Sequence, residues 1–192
     1  MLFRSRLTDP VAKVSAHYTI DEDGTIYTHV PEDKRAWHAG MSFWAGVTNV
    51  NACSIGIELV NPGHEFGYCA FAEAQIAALI PLCQAIVARH AIVPARVLGH
   101  SDVAPARKED PGELFPWARL AHAGIGLWPR ARSSALDAEA LKQFGYDPAA
   151  PLDKVIAAFQ RHFRPSRVTG AWDSECAGLL AGLLEGSARA TL

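Results

Sequence analysis

The alternation of apolar and polar positions predicts a β-hairpin near the start of the chain. Residues 14–20 (VSAHYTI) are β-prone and roughly alternating, residues 21–24 (DEDG) supply turn chemistry, and residues 25–30 (TIYTHV) predict the returning strand. A third and more apolar strand is predicted at residues 54–60 (SIGIELV). A short strand at residues 96–99 (RVLG) completes the set that we predict.

Helical periodicity alternates with these strands. Residues 71–90 place their apolar side chains on one stripe, and Pro81 inside this stretch should kink the helix or split it in two. Another helix is predicted at residues 114–121. Strands mixed with helices in this order indicate an α/β or α+β class, and we expect an α/β fold with a mixed central sheet flanked by helices.

The composition changes after Trp128-Pro129, which suggests a domain boundary. Three short helical patterns follow, at residues 136–144, 153–163 and 172–184. We therefore predict a first domain over residues 1–129, a linker over residues 130–135 and a small three-helix module over residues 136–192.

The bulk composition excludes several classes of function. Hydrophobic residues make up 49% of the 192 residues and charged residues 20%, as in ordinary soluble domains. The net charge of −2 and the lack of a basic stripe argue against nucleic acid as a partner. No apolar run approaches the length of a membrane span. The four cysteines share no CxxC spacing and are expected to be reduced. We also expect the protein to be a monomer.

A polar loop at residues 99–112 (GHSDVAPARKEDPG) carries the densest chemistry. A neutral imidazole and a carboxylate are ordinary zinc ligands, so His100 and Asp110 are candidate metal ligands. Lys108 could donate to a developing oxyanion. The alternative, a loop histidine with a capping aspartate and a solvated lysine, stays open on the residues alone, because this spacing is not a fixed metal-binding spacing.

Glu58 is the second unusual group, because it lies between Ile57 and Leu59 in an apolar strand. Burying a carboxylate is costly, and a glutamate that faces a pocket with a raised pKa would suit a general base. Strand alternation could equally turn Glu58 toward solvent. A purely structural role is also open for three aromatic side chains, which could belong to the core or to its edge: His17, Trp37 and His38.

Four motifs occur in a fixed order with compatible gaps: residues 15–18 (SAHY), 36–40 (AWHAG), 51–59 (NACSIGIEL) and 99–112. Together they resemble the type-2 N-acetylmuramoyl-L-alanine amidases, zinc enzymes related to peptidoglycan recognition proteins and phage lysozyme-amidases. The resemblance covers about residues 7–129. Residues 136–184 are similar, less specifically, to the small three-helix peptidoglycan-binding module that follows the catalytic domain in one branch of the family.

The resemblance implies zinc-dependent hydrolysis of the amide between N-acetylmuramic acid and L-alanine, in peptidoglycan or muropeptide fragments. It implies that His100 and Asp110 bind the zinc ion, that Glu58 is the general base and that Lys108 steadies the tetrahedral oxyanion. The groove around the sugar and stem peptide would be lined by His17, Tyr18, Trp37 and His38. The alternatives are a non-catalytic peptidoglycan-binding or recognition protein and an inactive truncated amidase.

The chain departs from the family pattern at one point. Family members carry a third zinc ligand, a histidine that ends the first strand, and no histidine precedes His17 here. We therefore expect that strand and that ligand to be missing, through a misassigned start codon, a truncation or the loss of catalysis. Because Glu58 and the other candidate catalytic and metal-binding residues are all retained, a misassigned start codon is favoured over the other two explanations. Two protein ligands should bind zinc poorly, with His17 as the nearest substitute for the third.

The compartment is left open by the sequence. Residues 1–10 lack the apolar core of a signal peptide, which favours the cytoplasm for the chain as printed. The helical module favours the periplasm or cell envelope instead, where a signal upstream of Met1 would direct it.

Overall fold

A computed structural model describes residues 14–189, in which a small mixed sheet is packed against helices. In chain order its regular elements are β1 (Tyr18–Ile20), β2 (Ile26–Thr28), β3 (Ile57–Leu59), α1 (Gly63–Phe66), α2 (Glu73–His90), α3 (His100–Val103), α4 (Trp117–His122), α5 (Leu141–Phe144), α6 (Leu152–Phe163) and α7 (Ser174–Arg189). Short 3-10 turns lie at Val50–Ala52, Pro94–Arg96 and Ala138–Ala140. The expected α/β class is confirmed, while the expected loss of a first strand concerns residues 1–13, which lie outside the described residues.

The sheet has the strand order β2-β1-β3 and is mixed. The predicted hairpin is present: β1 and β2 pair antiparallel, and a turn closes them in which the Gly24 amide donates to the Asp21 carbonyl at 2.9 Å. Gly24 has a φ of +86°, a conformation that glycine adopts without a steric cost. Strand β3 pairs parallel to β1 and places Glu58 opposite Thr19.

Helix α2 covers one face of the sheet. Its buried residues Ile76 and Leu79 pack with Ile20 of β1 in a core that also includes α4. The Gln75 amide nitrogen donates to the Ile20 carbonyl at 3.2 Å and to the Val60 carbonyl at 2.9 Å, which fixes the start of α2 against the ends of two strands.

Two predicted elements differ from the structure. Of the two outcomes expected for Pro81, a kink or a split, the split is wrong: α2 is continuous, and Pro81 lies on its exposed side, where the carbonyl freed by the missing N–H can be hydrated. The strand predicted at residues 96–99 is wrong. A 3-10 turn ends at Arg96, and Val97 is extended but is assigned to no strand before Gly99 caps α3.

The C-terminal helices enclose a second core. Buried residues of α5, α6 and α7 surround Phe159, which is 0% exposed. Trp44 and Val103, from the first 129 residues, belong to the same core. The Trp44 ring meets the Tyr146 ring edge-on, with centroids 5.0 Å apart. The core of the predicted helical module therefore includes side chains from the predicted first domain.

The predicted linker, residues 130–135, lies against α7. The Arg132 amide donates to the Gly178 carbonyl at 3.0 Å. A Cβ added at Gly178 would meet the Arg132 carbonyl oxygen, and one added at Gly182 would collide with the Arg130 carbonyl oxygen. These two glycines form a shallow groove on α7 in which the linker backbone lies.

Gly182→Ala is therefore expected to destabilise the fold by about 1–3 kcal/mol, since the new methyl group meets backbone that cannot move freely. Gly186→Ala, one helical turn later, is the matched control. Apart from the adjacent helix backbone, no described atom lies within 4 Å of a Cβ built there, so the better helix propensity of alanine should stabilise the protein by up to about 1 kcal/mol. Urea unfolding of the three proteins measures both changes, and a stabilising Gly182→Ala would contradict the described packing.

The described helices and the cysteines bear on the expectations about a membrane span and about disulfide bonds. No helix within residues 14–189 is long and apolar enough to cross a membrane. The four cysteines are free thiols, of which Cys53 and Cys69 are exposed and Cys176 is buried.

Candidate active site

Strand β3 presents Glu58 on the face of the sheet that α2 does not cover. Its neighbours Ile57 and Leu59 pack against the core shared with α2. Because successive side chains of a strand point to opposite faces, Glu58 is turned the other way. The alternation that left its direction open in the sequence is thus resolved by the packing of its two neighbours.

The electrostatics show what Glu58 faces. Burial raises the pKa of Glu58, and the negative charge of Asp110 raises it further. The charges of His100 and Lys108 act in the opposite direction. The structure therefore brings together the four groups that the sequence proposed as catalytic or metal-binding, although they come from a strand and a distant loop.

His100 and Asp110 form a direct pair. His100 is the first residue of α3, and the Ser101 amide donates to the Asp110 carbonyl at 2.9 Å, which folds the loop back on the helix. His100 Nδ1 lies 3.0 Å from Asp110 Oδ2, and His100 Nε2 lies 3.2 Å from the Ala39 carbonyl oxygen. Burial opposes ionisation of Asp110, but the hydrogen bond and charge of His100 hold its pKa below the usual range.

Two cations flank this pair. Lys108 makes no ion pair with the described residues, and its charge also lowers the pKa of Asp110. Arg107 was not singled out in the sequence. Its Nη2 donates to the Ala39 carbonyl at 2.7 Å and the Met41 carbonyl at 2.9 Å, and lies 3.5 Å from His100 Nε2. The sequence signal that could have identified Arg107 is its position next to Lys108 in the loop motif.

Of the two histidines expected to line the groove, His38 is uncharged and His17 has both ring nitrogens hydrogen-bonded. Burial lowers the pKa of His38 to about 4, and the nearby imidazoles of His17 and His100 lower it too, so its ring is uncharged near neutral pH. His17 is buried. Its Nδ1 accepts from the Gly56 amide at 3.0 Å, and its Nε2 donates to the Lys34 carbonyl at 3.1 Å.

The bonds of His17 bear on two expectations. With both ring nitrogens engaged by backbone, His17 has no free nitrogen to replace a missing metal ligand or to contact a substrate. Its ring instead meets the His38 ring edge-on at 5.6 Å between centroids. The geometry makes His17 a support for His38 and not a groove contact, because its core position saturates its hydrogen bonds.

Tyr18 and Trp37 differ in how much of the side chain is available. The Tyr18 hydroxyl donates to Glu32 at 2.6 Å, and Glu32 also pairs with Arg89. This hydroxyl is therefore committed to a structural ion-pair cluster, and the place of the Tyr18 ring in the groove stays a prediction. Trp37 is 49% exposed, and the Arg35 guanidinium lies 3.9 Å from its ring centroid. Its ring remains accessible to a sugar face.

Asn51, the first residue of the motif at residues 51–59, is a supporting residue whose role the sequence did not indicate. It is buried, and its Oδ1 accepts from the amides of His38 at 3.0 Å and Ala39 at 2.8 Å. These bonds fix the loop that carries Trp37 and His38. They also fix the Ala39 carbonyl that both His100 and Arg107 contact.

A tetrahedral zinc ion needs at least three protein groups, and the described residues contain no such cluster of His, Cys, Asp or Glu. The His100–Asp110 pair nevertheless fits two positions of a site. Ligand atoms about 2.1 Å from a tetrahedral ion lie about 3.4 Å apart, close to the observed 3.0 Å. An imidazole and a low-pKa carboxylate are also the donor types that zinc selects.

The fold and this cluster of groups define a class of hydrolytic enzyme in which a strand glutamate faces an imidazole–carboxylate pair. Residues 3–113 match the protein family described as N-acetylmuramoyl-L-alanine amidase. The chain belongs to this family, and the resemblance of the four motifs is confirmed. The identity of the C-terminal helices as a peptidoglycan-binding module stays a prediction.

Individual relatives agree with this assignment. N-acetylmuramoyl-L-alanine amidase AmiD of Escherichia coli is 41% identical over 211 residues, covering 93% of this chain and 76% of that protein. 1,6-Anhydro-N-acetylmuramyl-L-alanine amidase AmpD of Citrobacter freundii is 43% identical over 108 residues. That match covers 56% of this chain and 56% of AmpD, so the chain spans about half of the length of this second relative.

Two solved structures resemble most of the chain. One is the complex of E. coli AmiD with the substrate anhydro-N-acetylmuramic acid-L-Ala-D-γ-Glu-L-Lys, with a TM-score of 0.85, 40% identity, and coverage of 95% of this chain and 83% of that one. The other is AmpDh3 of Pseudomonas aeruginosa with anhydromuramic pentapeptide, with a TM-score of 0.83, 34% identity, and coverage of 96% and 86%. Both matches extend through the C-terminal helices.

Proposed function

We propose that this protein hydrolyses the amide between N-acetylmuramic acid and L-alanine in muropeptides or peptidoglycan and that it depends on zinc. The observation that carries the proposal is the orientation of Glu58 toward the His100–Asp110 pair. The amidase family of the chain supports the reaction type. The muropeptide named as substrate of the similar AmiD supports the substrate class.

Each polar group has a role in this reaction. His100 and Asp110 would hold the zinc ion, which when bound supplies a Lewis acid that acidifies water and polarises a carbonyl. Glu58 accepts the proton of the attacking water, because its raised pKa makes it a stronger base than an exposed carboxylate. Lys108 neutralises the oxyanion that develops on the amide oxygen.

The proton balance is closed by the same glutamate. The hydroxyl of water joins the lactyl carbonyl carbon, the C–N bond breaks, and the proton taken by Glu58 passes to the leaving nitrogen of L-alanine. The products are a muramic acid carboxylate and a peptide with a free amino terminus. A buried glutamate suits both transfers because its raised pKa favours holding the proton between the two steps.

The surroundings of the site suit a substrate with a sugar at one end and acids at the other. Trp37 offers an exposed ring of the kind that stacks on sugars. A cavity of about 330 Å³ is lined by Lys108 and three further cations, Arg107, Lys154 and Arg161, and by one acid, Glu109, which pairs with Arg161 at 2.7 Å. This positive lining is complementary to the carboxylates of a stem peptide.

The proposal is tested with anhydro-N-acetylmuramic acid-L-Ala-D-γ-Glu-L-Lys, followed by mass spectrometry of the products. We expect free peptide, no release after treatment with a zinc chelator, and recovery when zinc is restored. His100→Ala should lower turnover more than about 100-fold, because a first ligand counts for more than the supporting groups behind it. His122→Ala is the matched control, since His122 is exposed and the one hydrogen bond described for its side chain goes to the Ala118 carbonyl of its own helix.

The outcomes separate the alternatives. Binding of the muropeptide without release of peptide would contradict the proposal and favour a non-catalytic recognition protein. Release that resists the chelator would overturn the zinc dependence and leave the amidase reaction. Equal loss in the two histidine variants would contradict the assignment of His100.

A further inference from the structure

The Asp102 carboxylate joins the C-terminal segment to the helix that carries His100. Asp102 lies in α3 two residues after His100 and is 1% exposed. Its Oδ2 accepts from the Gly99 amide at 2.7 Å and from His162 Nδ1 at 2.7 Å, and its Oδ1 accepts from the Tyr146 hydroxyl at 2.7 Å. One buried carboxylate therefore holds the start of α3 and two side chains from the predicted helical module.

We propose that Asp102, Tyr146 and His162 are positioning residues for His100, so that the C-terminal segment forms part of the active site. This rests on the proposed role of His100 as a zinc ligand. It adds that residues remote in sequence, within a segment expected to bind peptidoglycan, fix the orientation of that ligand.

Helix α3 is a single turn of four residues. A helix of four residues forms too few internal hydrogen bonds to be stable alone, so tertiary contacts must hold it. Asp102 supplies several of these contacts, because it caps the Gly99 amide and is itself held from the other side by His162, while Val103 adds its side chain to the C-terminal core. If that anchor were lost, the turn that bears His100 could rotate.

A rotation of α3 would be felt at the metal pair. His100 Nδ1 lies 3.0 Å from Asp110 Oδ2, and Asp110 is attached to the same turn through the Ser101 amide. A displacement of about 1 Å is enough to impair a site that depends on aligned groups. The zinc affinity of the pair should therefore depend on the donors that hold Asp102.

The two C-terminal donors are themselves rigidly held. The His162 ring is stacked between Trp117, with centroids 3.8 Å apart, and Phe163, with centroids 3.9 Å apart. The Tyr146 ring is buried against Trp44. Burial and the adjacent Asp102 raise the pKa of Tyr146 well above its ordinary value, so its hydroxyl remains a donor at all relevant pH.

Two substitutions at His162 separate positioning from general stability. His162→Phe keeps a stacking ring and removes the hydrogen-bond donor, while His162→Asn keeps a donor near the position of Nδ1 and removes the ring. Zinc affinity, measured on the full chain by competition with a chromogenic chelator, should fall about 10–100-fold for His162→Phe and by much less for His162→Asn. Melting temperature should fall in both variants.

A parallel pair extends the comparison. Tyr146→Phe removes only the hydroxyl that donates to Asp102 and should also lower zinc affinity. Phe159→Leu disturbs the same core without touching Asp102 and should lower the melting temperature with zinc affinity unchanged. The affected variants should lose kcat with little change in KM, since the stacking and charged groups around the substrate are retained.

Each result decides the question. Zinc affinity that follows melting temperature across all four variants would overturn the positioning role. A wild-type chain that binds no zinc would defeat the zinc proposal instead. In that case the imidazole NMR signals of His100 would decide, because the positioning role requires them to shift in His162→Phe and Tyr146→Phe and to stay in place in Phe159→Leu.

Discussion

Glu58→Gln is expected to lower the rate of muropeptide hydrolysis by about 100- to 10,000-fold, the usual contribution of a positioned general base. The substitution keeps the size and shape of the side chain but removes its ability to accept a proton. Glu58 is the only strand carboxylate that the described chain places beside both His100 and Lys108.

The same variant should still bind the muropeptide. An uncharged amide costs less to bury than a carboxylate, so the melting temperature should be maintained or raised. Calorimetric titration with the anhydromuropeptide measures binding, and product release measures turnover. Glu65→Gln, on the exposed helix α1, is the matched control and should leave both unchanged. A Glu58→Gln variant with more than a tenth of wild-type turnover would exclude Glu58 as the base.

The sequence located the chemistry better than it located the supporting contacts. Glu58, His100, Lys108 and Asp110 could be selected because motifs that occur in a fixed order with compatible gaps carry them. Whether Glu58 faced solvent could not be decided from alternation alone. Its direction depends on which face α2 covers, and that is a property of packing between elements far apart in the chain.

Two residues expected to line the groove have no free polar atom, for one physical reason. Tyr18 and His17 have chemistry suited to a groove, but Glu32 and the backbone of Gly56 and Lys34 saturate their polar atoms. A hydrogen bond between residues distant in the sequence leaves no local pattern. Asp102 shows the same limitation, because within its motif it has the appearance of a helix-capping residue and nothing more.

The division into domains was based on a change in composition. Such a change can indicate a linker, but it does not show whether the segments on either side pack against each other. Residues 130–135 are rich in arginine and serine, as linkers often are. The groove that receives them depends on the absence of side chains at Gly178 and Gly182, and helical periodicity does not reveal this. Whether the two segments unfold together is therefore a question for measurement.

Phe159→Ala is expected to destabilise the whole molecule by about 3–5 kcal/mol. The side chain is 0% exposed and lies at the centre of the C-terminal core, so its removal loses transfer free energy and leaves a cavity. Trp44 and Val103 share that core, and Asp102 bonds across it. The loss should therefore also reach the segment that carries the active site.

Hydrogen exchange with mass spectrometry at increasing urea concentration follows the two segments separately. We expect peptides from residues 14–129 and 136–189 to lose protection at one midpoint, and Phe159→Ala to lower that midpoint for both. Leu152→Ala, at an exposed position on the same helix, should change stability by no more than about 0.5 kcal/mol. If Phe159→Ala shifted only the C-terminal peptides, the segments would be independent domains, and the coupling of α3 to α6 through Asp102 would be too weak to position His100.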